Sequence, residues 1–155
     1  MLSFKPFEYT DQEYRVFSEI WNAYYPDEVY APDELRHEDD LRDPKYIFQR
    51  FVVEGNDGII GFCAYRETPF EYEPGKLHLA IYLDRDHLGF SNQNALYNFL
   101  IEQVAQHNPT KLVSMAREDK PEGSIFIWIM VLNKLCVRRA HVSMYRISIS
   151  IATLP

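Results

Sequence analysis

Apolar residues alternate with other residues along some segments of the chain and recur at intervals of three and four along others. Alternation is typical of strands, and the longer spacing is typical of helices with one apolar side. We predict strands over 2–9, 49–54, 59–67, 76–83, 112–116 and 143–151. We predict helices from Thr10 or Asp11 to Pro26, over 32–41 and over 92–106. The order β-α-α-β-β-β-α-β-(α)-β predicts a mixed α/β layer fold.

The segment 76–83 alternates most strictly. Leu77, Leu79, Ile81 and Leu83 are predicted to face one side of the sheet, and His78, Ala80 and Tyr82 the other. The turn residues at 55–58 predict that the two strands before this segment form an antiparallel hairpin.

Residues 125–132 are all apolar, and the pattern fits either a buried helix or a buried strand. Such a run cannot be solvated without a large exposed apolar patch. We predict that it contributes to a homodimer interface, with Trp128 as an anchor, or forms a central strand. Residues 124–136 differ abruptly in composition from the rest of the chain. A frame-shifted or decayed sequence is the alternative explanation for this change.

The chain has 155 residues, which suits a single domain over 1–155. The formal charge of −7 argues against a nucleic-acid binder and leaves a cationic acceptor open. Neither a signal peptide nor an apolar run long enough for a membrane helix is found in the sequence. Cys63 and Cys136 lie in apolar stretches, so we expect two buried thiols, as in a cytoplasmic protein.

Charged residues dominate the predicted second helix. The i,i+4 spacing predicts ion pairs between Arg36 and Asp40 and between Glu38 and Arg42. Residues 37–40 are potential metal ligands, but neighbouring helical residues point in different directions and cannot converge on one ion. We therefore predict a solvated helical face and no metal.

Six segments, in this order and spacing, resemble the GNAT superfamily of N-acetyltransferases, and within it domains of bacterial tandem acetyltransferases. They are Phe51-Val52-Val53-Glu54, Gly61-Phe62-Cys63-Ala64-Tyr65, residues 74–79, residues 84–89, Ala95-Leu96-Tyr97 and residues 116–123. The resemblance covers nearly the whole chain. It implies a central mixed sheet with helices on both faces and acetyl-CoA as cosubstrate.

In this family the turn after the fourth strand carries Gln/Arg-x-x-Gly-x-Gly/Ala, and its backbone N–H groups cradle the pyrophosphate of coenzyme A. The resemblance implies that the corresponding residues here are Leu88, Gly89, Phe90, Ser91, Asn92, Gln93 and Asn94. It also implies that the pantetheine arm bonds to the backbone of Ile81, Tyr82 and Leu83.

The motif departs from the family at three positions. Leu88 replaces the usual arginine or glutamine, Ser91 the first glycine and Gln93 the second small residue. Gln93 would either clash with a phosphate or fold outward, and its replacement by glycine is expected to strengthen binding. The alternative is an ordinary helix start capped by Ser91 or Asn92. Residues 125–135 also lack the tyrosine and the Gly-Phe pair that family members carry after the fifth strand.

Acetyl transfer to an amine requires a base and a proton donor. His78 is the candidate base, with packing beside Tyr65 or Tyr82 as the alternative; Tyr82 is a candidate acid, together with Tyr65 and Tyr97. Phe70 and Tyr72 would wall the acceptor pocket or belong to the core.

The function implied is an acetyl-CoA-dependent N-acyltransferase with an unknown small amine acceptor. The alternative is a catalytically degenerate binding or dimerisation module. A hydrolase is disfavoured because the chain has no Gly-x-Ser-x-Gly sequence.

Overall fold

The computed structural model describes residues 2–115, 137–143 and 146–151. Its strands are β1 (Ser3–Pro6), β2 (Phe48–Gly55), β3 (Gly58–Arg66), β4 (Lys76–Leu83), β5 (Lys111–Met115), β6 (Val137–Ser143) and β7 (Arg146–Ile151). Its helices are α1 (Asp11–Tyr24), α2 (Pro32–Asp40) and α3 (Phe90–Ala105), with short 3-10 turns at Pro69–Glu71 and Arg85–His87. The mixed α/β fold predicted from the sequence is confirmed.

The strands form one sheet in the order β1-β2-β3-β4-β5-β7-β6. All neighbouring strands are antiparallel except β4 and β5, which are parallel. The predicted hairpin at 55–58 is the β2–β3 connection, and β4 has the predicted bounds. The sequence pattern missed β6, because a register shift between Val137 and Ala140 interrupts the alternation on which the prediction depends.

Helix α1 begins and ends where local signals predict. The Thr10 hydroxyl accepts a hydrogen bond from the Glu13 N–H (3.2 Å), and the Glu13 carboxylate accepts one from the Thr10 N–H (3.0 Å). This capping box satisfies two of the N–H groups that the start of a helix leaves unpaired. The helix ends at Tyr24, two residues before Pro26.

Two apolar cores cover the two faces of the sheet. Leu96 and Leu100 of α3 pack with Leu77 and Leu79 of β4 on one face. On the other, α1 and α2 pack on β2 and β3, with Tyr82 of β4 at the margin. The predicted alternation of β4 is therefore confirmed, and helices cover both faces.

Burial also agrees with several smaller expectations from the sequence. Phe7 is buried, and Phe4 is half-buried and stacks on Phe99. Cys63 is fully buried, and burial raises the pKa of its thiol. Cys136 and residues 125–132 lie outside the described residues. In the described part of the chain, no helix is long and apolar enough to cross a membrane.

The charges of α2 are arranged differently from the prediction. Arg36 pairs with Asp11 of α1, and Arg42 pairs with Asp39 at 2.7 Å. Asp39 was expected on a solvated face, but its side chain is only 3% exposed and bonds to Arg50 of β2 at 2.7 Å. The correction has a long-range cause: Arg50 is buried under the helix, and a buried charge needs a partner.

Candidate functional site

Within the described residues, the parallel strands β4 and β5 pair along only part of β4. Their pairing runs from Lys76 and Lys111 to Leu79 and Ser114. Strand β4 continues to Leu83, whereas β5 is described only as far as Met115. Among the described residues, 80–83 therefore have a partner strand only on the β3 side. We call this unpaired backbone edge of 80–83 the seam.

Two hydrogen bonds to carbonyl groups of β4 identify which peptide groups face the seam. The Ser114 hydroxyl donates to the Leu79 carbonyl (3.4 Å), and the Tyr24 hydroxyl donates to the Leu83 carbonyl (2.7 Å). Peptide groups of successive residues point to opposite edges of a strand. Ile81 therefore presents its N–H and C=O to the seam, as Leu83 does.

Tyr82, in contrast, directs its peptide groups toward β3. A Cβ atom added to Gly61 of β3 would lie 2.4 Å from the Tyr82 carbonyl oxygen. Of the three residues expected to offer backbone to a pantetheine arm, only Ile81 and Leu83 face the seam. The Leu83 carbonyl already has a donor in Tyr24. Among the described residues, Ile81 is therefore the residue whose N–H and C=O both lack a partner on this edge.

Helix α3 begins at the end of β4, after the connecting residues 84–89. Gly89 is the N-cap residue, and no side chain caps the helix. The first backbone bond of the helix runs from the Gln93 N–H to the Gly89 carbonyl (3.0 Å). Within the described ranges, no acceptor is found for the N–H groups of Phe90, Ser91 and Asn92.

The space in front of this helix start is open. A Cβ atom added at Gly89 would meet no atom within 4 Å. Open N–H groups and the positive end of the helix dipole together favour an anion at this position. By contrast, Thr10 and Glu13 cap α1, and Glu34 accepts the Ala31 N–H (2.7 Å) at the start of α2.

The helix starts two residues earlier than predicted, so its expected caps are wrong. Ser91 is exposed in the first turn, and the Asn92 side chain donates to the His87 carbonyl (2.9 Å). Phe90 is 64% exposed, Leu88 packs against the α3-side core, and Asn94 is half-buried.

Gln93 occupies a position that the sequence did not predict. It is only 3% exposed and lies on the buried stripe of α3. It therefore neither folds outward nor stands in front of the open N–H groups. Replacing it by glycine would leave a gap in the buried stripe, so the expected gain in binding has no basis in this geometry.

The turn between β4 and α3 carries charges of both signs. Asp84 and Asp86 are exposed, and the His87 Nδ1 atom lies 3.9 Å from the Asp84 carboxylate. Arg85 lies with its guanidinium 5.9 Å from the centre of the Tyr24 ring. The turn thus contains a cation at Arg85, three residues before Leu88. Leu88 occupies the position at which the family motif has arginine or glutamine.

His78 lies in the paired half of β4. It is buried, and its Nε2 atom lies 3.7 Å from a Glu71 carboxylate oxygen, which also contacts the Lys76 ammonium at 3.3 Å. The alternative that His78 packs beside Tyr65 is wrong, because Tyr65 pairs with Leu79 and its side chain therefore lies on the other face of the sheet. At about 3.3 Å per residue, His78 is roughly 10 Å along the strand from Ile81.

Tyr82 lies beside the seam, on the α1 side of the sheet. Its ring centre is 5.1 Å from that of Trp21 and 5.9 Å from that of Phe17. Burial raises the pKa of Tyr82, so the phenol keeps its proton at neutral pH. The other two candidate acids, Tyr65 and Tyr97, lie in the α3-side core.

The loop between α1 and α2 adds residues that the sequence analysis missed. The Asn22 side chain accepts from the Tyr30 N–H (2.9 Å) and donates to the Tyr30 carbonyl (3.0 Å), and Trp21 donates to the Glu28 carbonyl (3.2 Å). Glu38, burial and Glu28 raise the pKa of Tyr30, in that order. This loop brings carboxylates and aromatic rings together. These contacts were missed from the sequence because the spacing of apolar residues does not indicate contacts within a loop.

Phe70 and Tyr72 do not belong to the core. Phe70 is 98% exposed, and Tyr72 is exposed with its ring 5.6 Å from that of Tyr46. Both lie before the start of β4, far along the strand from the seam.

A cleft of about 290 Å³ runs beside α1 at the end of β4, and Glu19, Tyr24, Leu83 and Arg85 are among its lining residues.

No protein-family model and no curated protein matches the chain. Solved structures do match it. A Salmonella typhimurium protein described as an acetyltransferase, solved with acetyl-CoA, has a TM-score of 0.71 at 13% identity over 97% of this chain and 94% of that chain. The fold is that of the GNAT N-acetyltransferases.

Two further structures share the GNAT fold. The ribosomal-protein-alanine N-acetyltransferase of Brucella melitensis has a TM-score of 0.70 at 14% identity, over 94% of this chain and 96% of that chain. The spermidine N-acetyltransferase of Vibrio cholerae, solved with CoA and spermine, has a TM-score of 0.67 at 17% identity, over 96% and 95%. At these identities the likeness establishes the GNAT fold and not the activity.

Proposed function

We propose that this chain is an acetyl-CoA-dependent N-acyltransferase that acts on a small amine. One observation carries the proposal: the uncapped start of α3 stands at the end of β4, beside a strand edge that lacks a described partner. An uncapped helix start favours a phosphate, and an open strand edge favours an extended amide chain. Coenzyme A combines both chemical groups in one molecule.

The residues at the site fit this cosubstrate through their backbone. The N–H groups of Phe90, Ser91 and Asn92 would hold the pyrophosphate, and the peptide groups of Ile81 would pair with the pantetheine arm. Tyr24 supports this edge by holding the Leu83 carbonyl (2.7 Å). Bound acetyl-CoA would supply an activated thioester next to Ile81.

Proton transfer is assigned to groups on the α1 side of the sheet. The amine must lose a proton to attack the thioester, and the departing thiolate must gain one. We propose Tyr82 as the proton donor, because its phenol stays protonated beside the seam. His78 is the proposed base, acting through a chain of water molecules because it lies roughly 10 Å along the strand from Ile81.

The acceptor is proposed to be a cationic amine. Tyr30 lies close enough to Glu38 and Glu28 for both carboxylates to raise the pKa of its phenol. The rings of Trp21 and Tyr82 lie nearby and can contact a cation through their faces. The acidic charge of the chain and the spermine-bound Vibrio cholerae structure support the same class of acceptor.

A second candidate is a binding or dimerisation module that keeps the fold without turnover. It is favoured by Leu88, which supplies no cation at the position where the family has arginine or glutamine. Under either candidate we propose one cytoplasmic domain over residues 1–155. A single sheet that includes strands from Ser3 to Ile151 supports the domain assignment. A homodimer through residues 125–132 remains part of the proposal, since those residues lie outside the described ranges.

Titration calorimetry with acetyl-CoA, followed by an assay of thiol release with a panel of amines, tests the proposal. An enzyme binds acetyl-CoA and releases coenzyme A only when an acceptor is present. Binding without release from any amine would favour the module. A folded protein that does not bind acetyl-CoA at millimolar concentration would overturn the proposal.

A further inference from the structure

The Gln93 side-chain carbonyl is a buried acceptor without a donor. Gln93 is 3% exposed, and among the described residues no donor lies within hydrogen-bonding distance of its Oε1 atom. Buried polar atoms are nearly always hydrogen-bonded, because leaving one unpaired costs its lost hydration. An exception calls for a partner that is not part of the described protein.

The direction of α3 places Gln93 over the end of β4 that carries the seam. Helix α3 follows β4 and runs back along it, and its C-terminal end is fixed where His107 Nε2 lies 3.1 Å from the Tyr65 hydroxyl. Tyr65 pairs with Leu79, in the paired half of β4. The first turn of α3 therefore lies over the other end of β4, and Leu83 belongs to the core cluster that contains Leu96.

We propose that Gln93 is a cosubstrate-binding residue, whose side-chain carbonyl accepts a hydrogen bond from an amide N–H of the pantetheine arm. The inference rests on the proposed function and deepens it. At this position the resemblance leads us to expect a small residue, which has no such group. On this view Gln93 adds a contact to the site, and the departure from the motif is not simply a loss.

The contact can be separated from phosphate binding by the choice of probe. Acetyl-CoA carries the pantetheine arm, whereas adenosine 3′,5′-bisphosphate carries nucleoside and phosphates without it. Gln93→Leu keeps the bulk of the side chain and removes the acceptor, and Gln93→Met is a second such variant in case Leu does not fold. Gln103→Leu, on the same helix and away from the seam, is the matched control.

We expect Gln93→Leu to bind acetyl-CoA about threefold to tenfold more weakly than the wild type, the loss of one hydrogen bond. Its affinity for adenosine 3′,5′-bisphosphate should be unchanged. Its melting temperature should be equal or higher, because an unpaired acceptor has been removed from the interior. Gln103→Leu should bind both probes as the wild type does.

Unchanged acetyl-CoA affinity in folded Gln93→Leu and Gln93→Met would overturn this assignment. Equal loss of affinity for both probes would also overturn it, since the defect would then lie at the phosphate site. If the wild type binds neither probe, the proposed function fails as well, and that result is distinct from the other two.

Discussion

Phe90→Pro removes one N–H group from the start of α3 while keeping the helix. Proline is tolerated at the first position of a helix, where its missing N–H has no partner within the helix. The preceding residue must be extended, and Gly89 is extended, with φ of −177° and ψ of 152°. The Phe90 ring is mostly exposed, so little packing is lost with it.

The expected effect on binding follows from the hydrogen bond that proline cannot make. A hydrogen bond to a charged group contributes about 1.5–3 kcal/mol. Because about 1.4 kcal/mol corresponds to a tenfold change in affinity, acetyl-CoA should bind about 10- to 150-fold more weakly. Adenosine 3′,5′-bisphosphate would test this hydrogen bond less directly, because it lacks the pyrophosphate that the Phe90 N–H is proposed to bind.

Phe90→Ala is the matched control, because it removes the same ring and keeps the N–H. Calorimetry should give a large loss of acetyl-CoA affinity for Phe90→Pro relative to Phe90→Ala. The unfolding temperatures of the two variants should be similar, since the removed N–H has no protein acceptor among the described residues. Equal affinities of the two folded variants would refute the assignment of the pyrophosphate to this helix start.

Three further outcomes are expected. Tyr24→Phe should lower the free energy of unfolding by about 1 kcal/mol in urea denaturation, because the Leu83 carbonyl loses its donor. Burial raises the pKa of Asp39, but its arginine partners outweigh burial and hold the pKa below its usual value. Its contribution to stability is therefore complete above about pH 5 and falls as the pH drops below about 4. Denaturation of Asp39→Asn should lack that part of the acid dependence. Asn22→Ala should release the loop at Tyr30. Proteolysis in that loop should then be faster than in Asn22→Asp, which keeps the acceptor for the Tyr30 N–H.

Local signals predicted those parts of the fold whose cause is local. The bounds of β4 follow from strict alternation, and those of α1 follow from Thr10 and Pro26. The start of α3 was predicted two residues too late because its N-cap is Gly89. Glycine has no polar side chain of the kind by which an N-cap is recognised in a sequence. Strand β6 was missed because a register shift breaks its period.

The candidate site was predicted in outline, because the order of β4, turn and α3 is visible in the sequence. Its details depend on contacts between residues far apart in the chain. The Tyr24 hydroxyl reaches the Leu83 carbonyl across 59 positions, and Asp39 is buried because Arg50 lies beneath it. A polar residue such as Gln93 on a buried stripe gives no hydrophobic signal, so its burial required the structure.

The three departures from the motif are expected to differ in their effect on phosphate binding. Backbone N–H groups hold phosphates whatever their side chains, provided that nothing covers them. Ser91 is exposed and small, and Gln93 turns toward the sheet, so neither residue covers the helix start. Leu88 supplies no polar side chain to a phosphate, so under the proposed function it would weaken binding without covering the helix start. A chain can therefore lose the side-chain pattern of this motif and still keep the backbone arrangement on which phosphate binding depends.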